Sequence, residues 1–195
     1  KMVDFWQEKV LVSIAEKNGS DISFQAYLEE LSTMGFGNRP MDLIPLLNQG
    51  YLMKFGPEEK TEITMKGRFV GAHGASVNKL FFGEVTYTSG GYYMITSSTY
   101  TRKLYRVVIL YTTKTDMTSA TDEVPAGYEG ERYVFANGVL TANNLSFSDR
   151  EFTCEFTFEF APRDRDGSPN FMIQDNIGTG AKLPALNSYT DSTKW

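Results

Sequence analysis

The clearest hydrophobic pattern in the chain is a strict alternation over residues 152–160, FTCEFTFEF. Its apolar positions share one face: Phe152, Cys154, Phe156, Phe158 and Phe160. Its polar positions share the other face: Thr153, Glu155, Thr157 and Glu159. Because successive side chains of a strand point to opposite faces, this period predicts a β-strand with one face in the core and the other in water.

Two further strands are predicted before it. The run RKLYRVVILYTT at 102–113 is apolar on both faces between Val107 and Leu110, which is typical of a strand at the centre of a sheet. Residues 132–140 predict a strand with an irregularity at Gly138, such as a bulge. A turn at 148–150 then leads into the alternating strand.

A β-hairpin is predicted over residues 50–69. Its first arm is GYLMKF, a turn follows at 56–59, and the second arm is EITMKGRF. In the second arm Ile63, Met65 and Phe69 face one way. The polar residues of that arm face the other way: Glu62, Thr64, Lys66 and Arg68.

The remaining segments have weaker patterns. Residues 9–14, KVLVSI, alternate like a strand, but a wider window also fits a helix. Residues 26–34 predict a short helix or an irregular loop, and residues 35–45, with two Gly and two Pro, predict a loop. We expect one domain over 1–195, with a short helix at 77–82. Long loops are expected at 26–49 and 84–101, and a C-terminal arm at 163–195.

Composition favours strands and argues against several partners. Aromatic residues make up 14% of the chain, mostly Phe and Tyr, which suit half-buried pleated surfaces. The formal net charge is −5 and the sequence has no basic block, so the chain is a poor candidate for binding phosphate backbones. No run of about 18 apolar residues is present, so we expect no membrane partner. We expect synthesis in the cytoplasm.

Few residues of the chain suit a catalytic role. Cys154 and His73 are the only cysteine and histidine, and Cys154 stands on the phenylalanine face, where a thiol fills core space. Glu155 and Glu159 share a strand face, but at about 3.4 Å per residue they stand roughly 13–14 Å apart, too far for a glycosidase pair. We therefore expect that the chain is not an enzyme.

Metal and cofactor motifs are equally weak. Residues 164–170, DRDGSPN, resemble half of a calcium loop, but the glycine comes two positions too early and the twelfth position is Asp175 instead of glutamate. A solvated turn is the better interpretation. The glycine pairs at 35–37 and 178–180 lack the third glycine of dinucleotide loops and the GK[ST] ending of phosphate loops. No metal and no cofactor is expected.

One alternative function is a winged-helix DNA-binding regulator built on residues 1–74. Candidate helices at 5–16, 26–34 and 40–48, followed by the 50–69 hairpin, match the order of its elements. Two observations count against it. Pro45 would cost about 3 kcal/mol inside the recognition helix. Residues 1–74 also carry eight Lys and Arg against ten Asp and Glu, whereas DNA readers present basic faces.

Two stretches of the sequence resemble tail tube proteins of head-tailed viruses. The first is IPLLNQGYLMKFGPEEKTEITMKG at 44–67. The second runs from 77 to 170 and includes VNKLFFG, TRKLYRVVILYTT, TSAT, YVFANGVLTANNLSFSDREF and FEFAPRDRDGSPN. Together they cover about 60% of the chain. Tyr111 departs from the tryptophan of the family pattern, and residues 1–43 and 171–195 match less well.

The resemblance implies a mainly β sandwich or barrel with a short flanking helix. In tubes of this family six copies form a ring whose strands join into one inner barrel, and rings stack into a conduit for the genome. The implied partners are further copies of the chain, other tail proteins at the tube ends, and viral DNA that passes without specific binding. The implied location is the virion tail.

From this resemblance and the alternation we expect two sets of assembly residues. The candidate lumen face consists of Thr153, Glu155, Thr157, Glu159, Glu62, Thr64, Lys66 and Arg68. The candidate ring-stacking residues are Gly90, Tyr92, Tyr93, Arg163, Asp164, Arg165, Asp166 and Trp195. An acidic, hydroxyl-rich wall suits a channel that must not bind a polyanion, because carboxylates repel phosphates within about 8–10 Å.

Overall fold

Strands are the regular elements of this chain. The computed structural model describes residues 9–16, 21–24, 27–68, 85–88, 92–95, 104–148, 151–175, 182–183 and 195. Twelve strands and no helix occur within these ranges, so the expected mainly β fold is confirmed. The strands are β1 (Lys9–Glu16), β2 (Asp21–Phe24), β3 (Tyr27–Met34), β4 (Met41–Pro45), β5 (Tyr51–Phe55), β6 (Thr61–Arg68), β7 (Val85–Thr88), β8 (Tyr92–Ile95), β9 (Tyr105–Thr112), β10 (Gly130–Ser148), β11 (Glu151–Phe160) and β12 (Phe171–Asp175).

Two antiparallel sheets share the 19-residue strand β10. The first sheet has the order β2-β1-β9-β10-β12 and uses the N-terminal part of β10. The second sheet has the order β10-β11-β6-β3 and uses residues 139–148 of β10. The register shifts between Phe135 and Gly138, and Asn137 takes a left-handed φ of 57°. The predicted irregularity at Gly138 is therefore confirmed, and it marks the passage from one sheet to the other.

The main core lies between the two sheets. The first sheet contributes Val12, Ile14, Val107, Ile109 and Phe135. The second contributes its alternating apolar residues, which are at most 2% exposed: Ile63, Met65, Phe156, Phe158 and Phe160. The buried face predicted for β11 is thus confirmed at residues 156–160, and the side chains of Phe152 and Cys154 lie outside the description.

A second apolar cluster covers the outer face of the first sheet. Leu11, Val108 and Leu110 pack there against the 117–124 segment and Leu183. Strand β9 is therefore buried on both faces and lies between β1 and β10, as its apolar run predicts. Trp195, which is partly buried, also packs against this cluster.

A buried arginine fixes the loop that covers this sheet. Arg132 on β10 donates from Nε to the Ala120 carbonyl oxygen at 2.8 Å and from Nη1 to Gln174 Oε1 at 2.9 Å. It also donates to the Asp122 carbonyl oxygen. Burial lowers the pKa of Arg132 to about 10, against the opposing effect of Asp122, so the guanidinium remains charged at neutral pH. The same side chain thus joins the loop, β10 and β12.

The predicted hairpin over 50–69 is wrong in its pairing. Strand β5 pairs with β4, in register from Met41 opposite Phe55 to Pro45 opposite Tyr51. Strand β6 pairs with β11 and β3 instead. The physical reason is burial: Ile63 and Met65 on β6 belong to the core, whereas every residue of β5 is exposed. Both strands exist where the sequence places them, but alternation does not specify their partners.

Several segments predicted as loops or helices are strands. Residues 26–34 contain β3, the loop predicted at 35–45 contains β4, and the loop at 84–101 contains the paired strands β7 and β8. The long loop at 26–49 is wrong for the same reason. Residues 9–14 are resolved as part of strand β1. Short strands without a clear period were mistaken for irregular chain because their pairing partners, not their own patterns, stabilise them.

The winged-helix interpretation is wrong. Its candidate helices at 5–16, 26–34 and 40–48 contain strands β1, β3 and β4. The short helix expected at 77–82 lies outside the described residues. Within the described part of the chain, no helix is long and apolar enough to cross a membrane.

The C-terminal arm expected at 163–195 packs on the body wherever it is described. Strand β12 pairs with β10 from Phe171 opposite Phe135 to Asp175 opposite Glu131. The Leu183 amide donates to the Thr121 carbonyl oxygen at 3.0 Å, and its side chain is buried. Truncation at residue 171 would therefore remove a strand of the first sheet as well as any contact between copies.

Candidate assembly surface

The two sets of residues expected at a lumen face lie on one surface. Strands β6 and β11 are neighbours in the second sheet, with Glu155 opposite Lys66 and Thr157 opposite Thr64. Thr153 stands opposite Arg68, and Glu159 opposite Glu62. Because directly opposed residues share a sheet face, all eight positions belong to one surface, called here the polar face. Those with a described side chain are half-buried, on the side away from the core.

Bonds across the strands hold the polar face. Thr64 Oγ1 and Thr157 Oγ1 share a hydrogen bond of 3.0 Å. Lys60 Nζ lies 2.8 Å from Glu159 Oε1 and 4.0 Å from Glu62 Oε2. The hydrogen bond with Glu159 makes the largest contribution to a raised pKa of Lys60, and the charges of Glu159 and Glu62 add to it.

The polar face is less acidic than its β11 strand alone predicts. The eight positions include three carboxylates, Glu62, Glu155 and Glu159, and two cations, Lys66 and Arg68. Their net charge is therefore one negative unit at neutral pH. The glutamates of β11 stand beside the mixed-charge positions of β6, so Glu155 lies opposite Lys66. The surface is polar, rich in hydroxyls and close to neutral.

The second sheet has two edges that stay unpaired within the described residues. Strand β3 pairs with β6 along one side, and no described strand pairs along its other side. Residues 139–148 of β10 pair with β11 on one side, and again no described strand lies on the other. Each edge leaves a row of backbone N–H and C=O groups that a further strand can join.

Strands β4 and β5 form a hairpin that is exposed on both faces. In the described part of the chain they pair with each other alone. Nine large apolar side chains of this hairpin are at least 41% exposed: Met41, Leu43, Ile44, Leu46, Leu47, Tyr51, Leu52, Met53 and Phe55. Leu47 at the tip is fully exposed. A contiguous apolar surface of this kind marks an interaction site, because it gains free energy only when a partner covers it.

An ion-pair group lies at the base of this hairpin. Glu58 follows β5 and accepts from Arg39 Nη2 at 2.6 Å, just before β4. It also accepts from Arg163 Nε at 2.8 Å and Nη2 at 3.2 Å, a bidentate pair. The hydrogen bond from Arg163, then that from Arg39, lowers the pKa of Glu58 to about 2. The carboxylate thus supports the folded state above about pH 4.5, and this support is lost as the pH falls through about 2.

The residues expected at a ring-stacking surface are scattered. Tyr92 and Tyr93 lie on β8, opposite Thr88 and Tyr87 of β7. Gly90 lies outside the described residues. The others are placed as follows: Arg163 at the hairpin base, Asp164 and Asp166 in the following turn, Arg165 exposed beside them, and Trp195 against the outer apolar cluster.

The 164–170 turn uses its carboxylates within the chain. Ser168 donates from its backbone N to Asp166 Oδ1 at 3.0 Å and from Oγ at 2.8 Å. Asn137 Nδ2 donates to Asp164 Oδ1 at 3.0 Å. Among the described residues no group of three or more His, Cys, Asp and Glu is placed to hold a metal ion. The geometry is that of a hydrogen-bonded turn.

The exposed hairpin is the feature that sequence reasoning missed. Its signal was present: two apolar runs, MDLIP and YLMKF, flank the turn sequence LLNQG. The turn closes with hydrogen bonds from the Leu46 amide to Gly50 and from the Gln49 amide to Leu46. Because apolar residues occur on both faces of both arms, no period-two pattern appears, and the first arm was interpreted as loop.

No protein-family model and no curated protein matches the chain. Among solved structures it is similar to a chain of the anti-feeding prophage baseplate, 8% identical, covering 86% of this chain and 93% of that one with a TM-score of 0.49. It is similar to a chain of the PVC sheath-tube complex, an extracellular contractile injection system, at 14% identity, 86% and 88% coverage and a TM-score of 0.46. It is also similar to a chain of the tail of an empty GTA particle, at 14% identity, 81% and 93% coverage and a TM-score of 0.41.

Proposed function

We propose that this chain is a non-enzymatic tube subunit, whose copies join through the second sheet into rings that stack around a lumen. The observation that carries the proposal is that sheet itself: four strands with a buried apolar back, a polar front, and an unpaired edge at each side within the described residues. A sheet closed on itself through copies of the same chain removes both edges.

Strand directions permit this closure. Each neighbouring pair in the order β10-β11-β6-β3 is antiparallel, so β3 and residues 139–148 of β10 run in opposite directions. When a copy is rotated about a ring axis, its β10 edge reaches the β3 edge of the previous copy in antiparallel orientation. The ladder therefore continues with one pattern around the ring. Such a head-to-tail contact closes when the rotation divides a full turn.

A ring of this sheet encloses a wide channel. Six copies, as the resemblance implies, would bring together roughly 24 strands at about 4.8 Å spacing, a circumference of roughly 115 Å. The backbone diameter is then about 37 Å before strand tilt, and tilt widens it. Side chains from opposite walls reduce this width, and the remainder still accommodates a nucleic acid duplex.

The polar face suits the wall of such a channel. Its hydroxyls and nearly balanced charges offer no cluster of cations to hold a phosphate backbone, so a genome would pass without specific binding. From the resemblance of the sequence we infer a location in the virion tail, with synthesis in the host cytoplasm. Other tail proteins would meet it at the ends of the tube, an assignment that rests on the resemblance of the sequence.

The apolar hairpin supplies contact between rings. The strand edges account for association within a ring. In the described part of the chain β4 and β5 pair with neither sheet, and every one of their residues is exposed. Their apolar surface would be covered by a copy in the adjacent ring. Stacking through this hairpin extends rings into a tube.

Proline substitutions on β3 test the ring contact. Backbone N–H groups alternate between the two sides of a strand. Of the two variants Ser32→Pro and Thr33→Pro, one therefore removes a donor from the outer edge of β3, and the other breaks a hydrogen bond to β6. We expect the edge-directed variant to keep the melting temperature of the unmodified chain but to form no rings in negative-stain micrographs. The inward variant, as control, should lower the melting temperature.

Two outcomes contradict the proposal. One is an unmodified chain that sediments as a monomer at every concentration and gives no rings or tubes. The other is a folded edge-directed variant that assembles at the same concentration as the unmodified chain.

A further inference from the structure

We propose that Glu58 is a positioning residue: by pairing with Arg163 it fixes the angle between the apolar hairpin and the body of the subunit. The inference rests on the proposed function only for the consequence of that angle, the contact between rings. The orientation itself is a property of the single chain and can be measured without assembly.

The hydrogen bonds at the base of the hairpin join its two arms and do not reach the turn after β11. The Gly56 amide donates to the Pro40 carbonyl oxygen at 2.8 Å, and the Glu59 amide donates to the Asn38 carbonyl oxygen at 3.0 Å. These bonds extend the ladder of the hairpin and join its two arms to each other. The ion pair of Arg39 with Glu58 likewise joins the two arms.

Arg163 provides the connection to the body. It follows β11 by three residues and forms an isolated bridge with Pro169. Its Nη1 donates to the Gly167 carbonyl oxygen at 3.0 Å, so one guanidinium holds both the turn and the Glu58 carboxylate. The turn is fixed in its place by Asn137 on β10 through Asp164 and Asn170. Among the described side chains of residues 38–59, the Glu58–Arg163 pair is the one ion pair that leaves the hairpin.

The geometry of this pair restricts rotation. Two parallel N–H···O bonds between a guanidinium and a carboxylate fix the plane of both groups, whereas a single bond leaves a free torsion. Glu58 is 21% exposed and each arginine 50% exposed, so the group is shielded on one side and remains reachable by water. A link of this kind orients the hairpin without burying it, which leaves the apolar side chains available to a neighbour.

Spin-label distances measured on the monomer test the inference. Leu47→Cys at the hairpin tip and Thr118→Cys on the body carry the labels in a Cys154→Ser background, at a concentration below assembly. We expect a narrow distance distribution in this reference protein. In Glu58→Gln and in Arg163→Gln the distance distribution should broaden and its single narrow peak should disappear, because either change removes the bidentate link.

Matched controls separate orientation from general stability. Glu59→Gln makes the same chemical change one residue away, and Arg39→Gln removes only the bond between the two hairpin arms. Both should keep the narrow distribution. Glu58→Gln and Arg163→Gln should lower the melting temperature modestly, because they remove a stabilising ion pair, and every variant must remain folded at the temperature of the measurement. The conservative Glu58→Asp should recover part of the narrow peak. A narrow distribution in both Glu58→Gln and Arg163→Gln overturns the inference, as does equal broadening in Glu59→Gln.

Assembly of the variants without labels distinguishes the two proposals. If Glu58→Gln broadens the distribution and forms rings that do not stack, both proposals are supported. If the distribution broadens but the unmodified chain never forms rings, the tube function fails and the positioning role stands. If tubes form normally and the distribution stays narrow in Glu58→Gln, the positioning role fails and the tube function stands.

Discussion

Leu47 offers the sharpest test of the apolar hairpin. It stands at the tip between β4 and β5 and is fully exposed, with a relative exposure of 110%. Replacement by serine therefore removes no contact within the chain and should leave the melting temperature of the monomer unchanged. Burial of a leucine side chain on assembly contributes about 1.5–3 kcal/mol. Since about 1.4 kcal/mol corresponds to a tenfold change in an equilibrium constant, Leu47→Ser should weaken each hairpin contact by about ten- to a hundredfold.

The measurement is the critical concentration for tubes, determined by pelleting and checked in negative-stain micrographs. Leu47→Met is the matched control, because it keeps an apolar side chain of similar size and should assemble nearly as the unmodified chain does. Rings that persist while long tubes disappear would locate the contact between rings. Tubes that form from Leu47→Ser at the unmodified concentration would refute the reasoning, since a residue buried on stacking cannot be replaced by serine without loss.

Two further predictions concern the core and the polar face. In Gly138→Ala the added Cβ collides with the Phe160 ring, which packs against Phe135, so overpacking should destabilise the chain by about 1–3 kcal/mol in urea unfolding. Phe160→Leu in the same chain should recover part of that loss, and an unchanged midpoint would contradict the clash. Glu155→Lys combined with Glu159→Lys should leave tube assembly intact but slow genome ejection and create salt-dependent retention of duplex DNA; unchanged passage would remove these residues from the lumen.

Local periodicity predicts which residues face the core but not which strands meet. The faces of β11 and β6 follow from alternation within a few residues, and the apolar run of β9 indicates a central strand before any partner is known. By contrast, the pairing of Thr64 with Thr157 joins positions 93 residues apart. Nothing in either strand encodes the other, because any polar, half-exposed strand face would accept the same neighbour.

The hairpin error has a different physical origin. Within one chain, a stretch that buries nothing has no inside and outside, so its apolar residues need not alternate. The patterns MDLIP and YLMKF therefore do not show, from the sequence, which side of each strand is covered. The Glu58–Arg163 ion pair was not predictable either, because only the fold brings residue 58 and residue 163 together.

Strand β10 has a mechanical consequence for any assembly of this chain. One continuous backbone runs from the outer sheet into the sheet that would line the lumen, and it changes sheets at Asn137 without a break in the chain. Two sheets formed by separate chains could slide past each other under load. Because β10 belongs to both sheets, bending the second sheet must also bend the first. Each subunit would therefore respond to pressure from a passing cargo as one stiff unit.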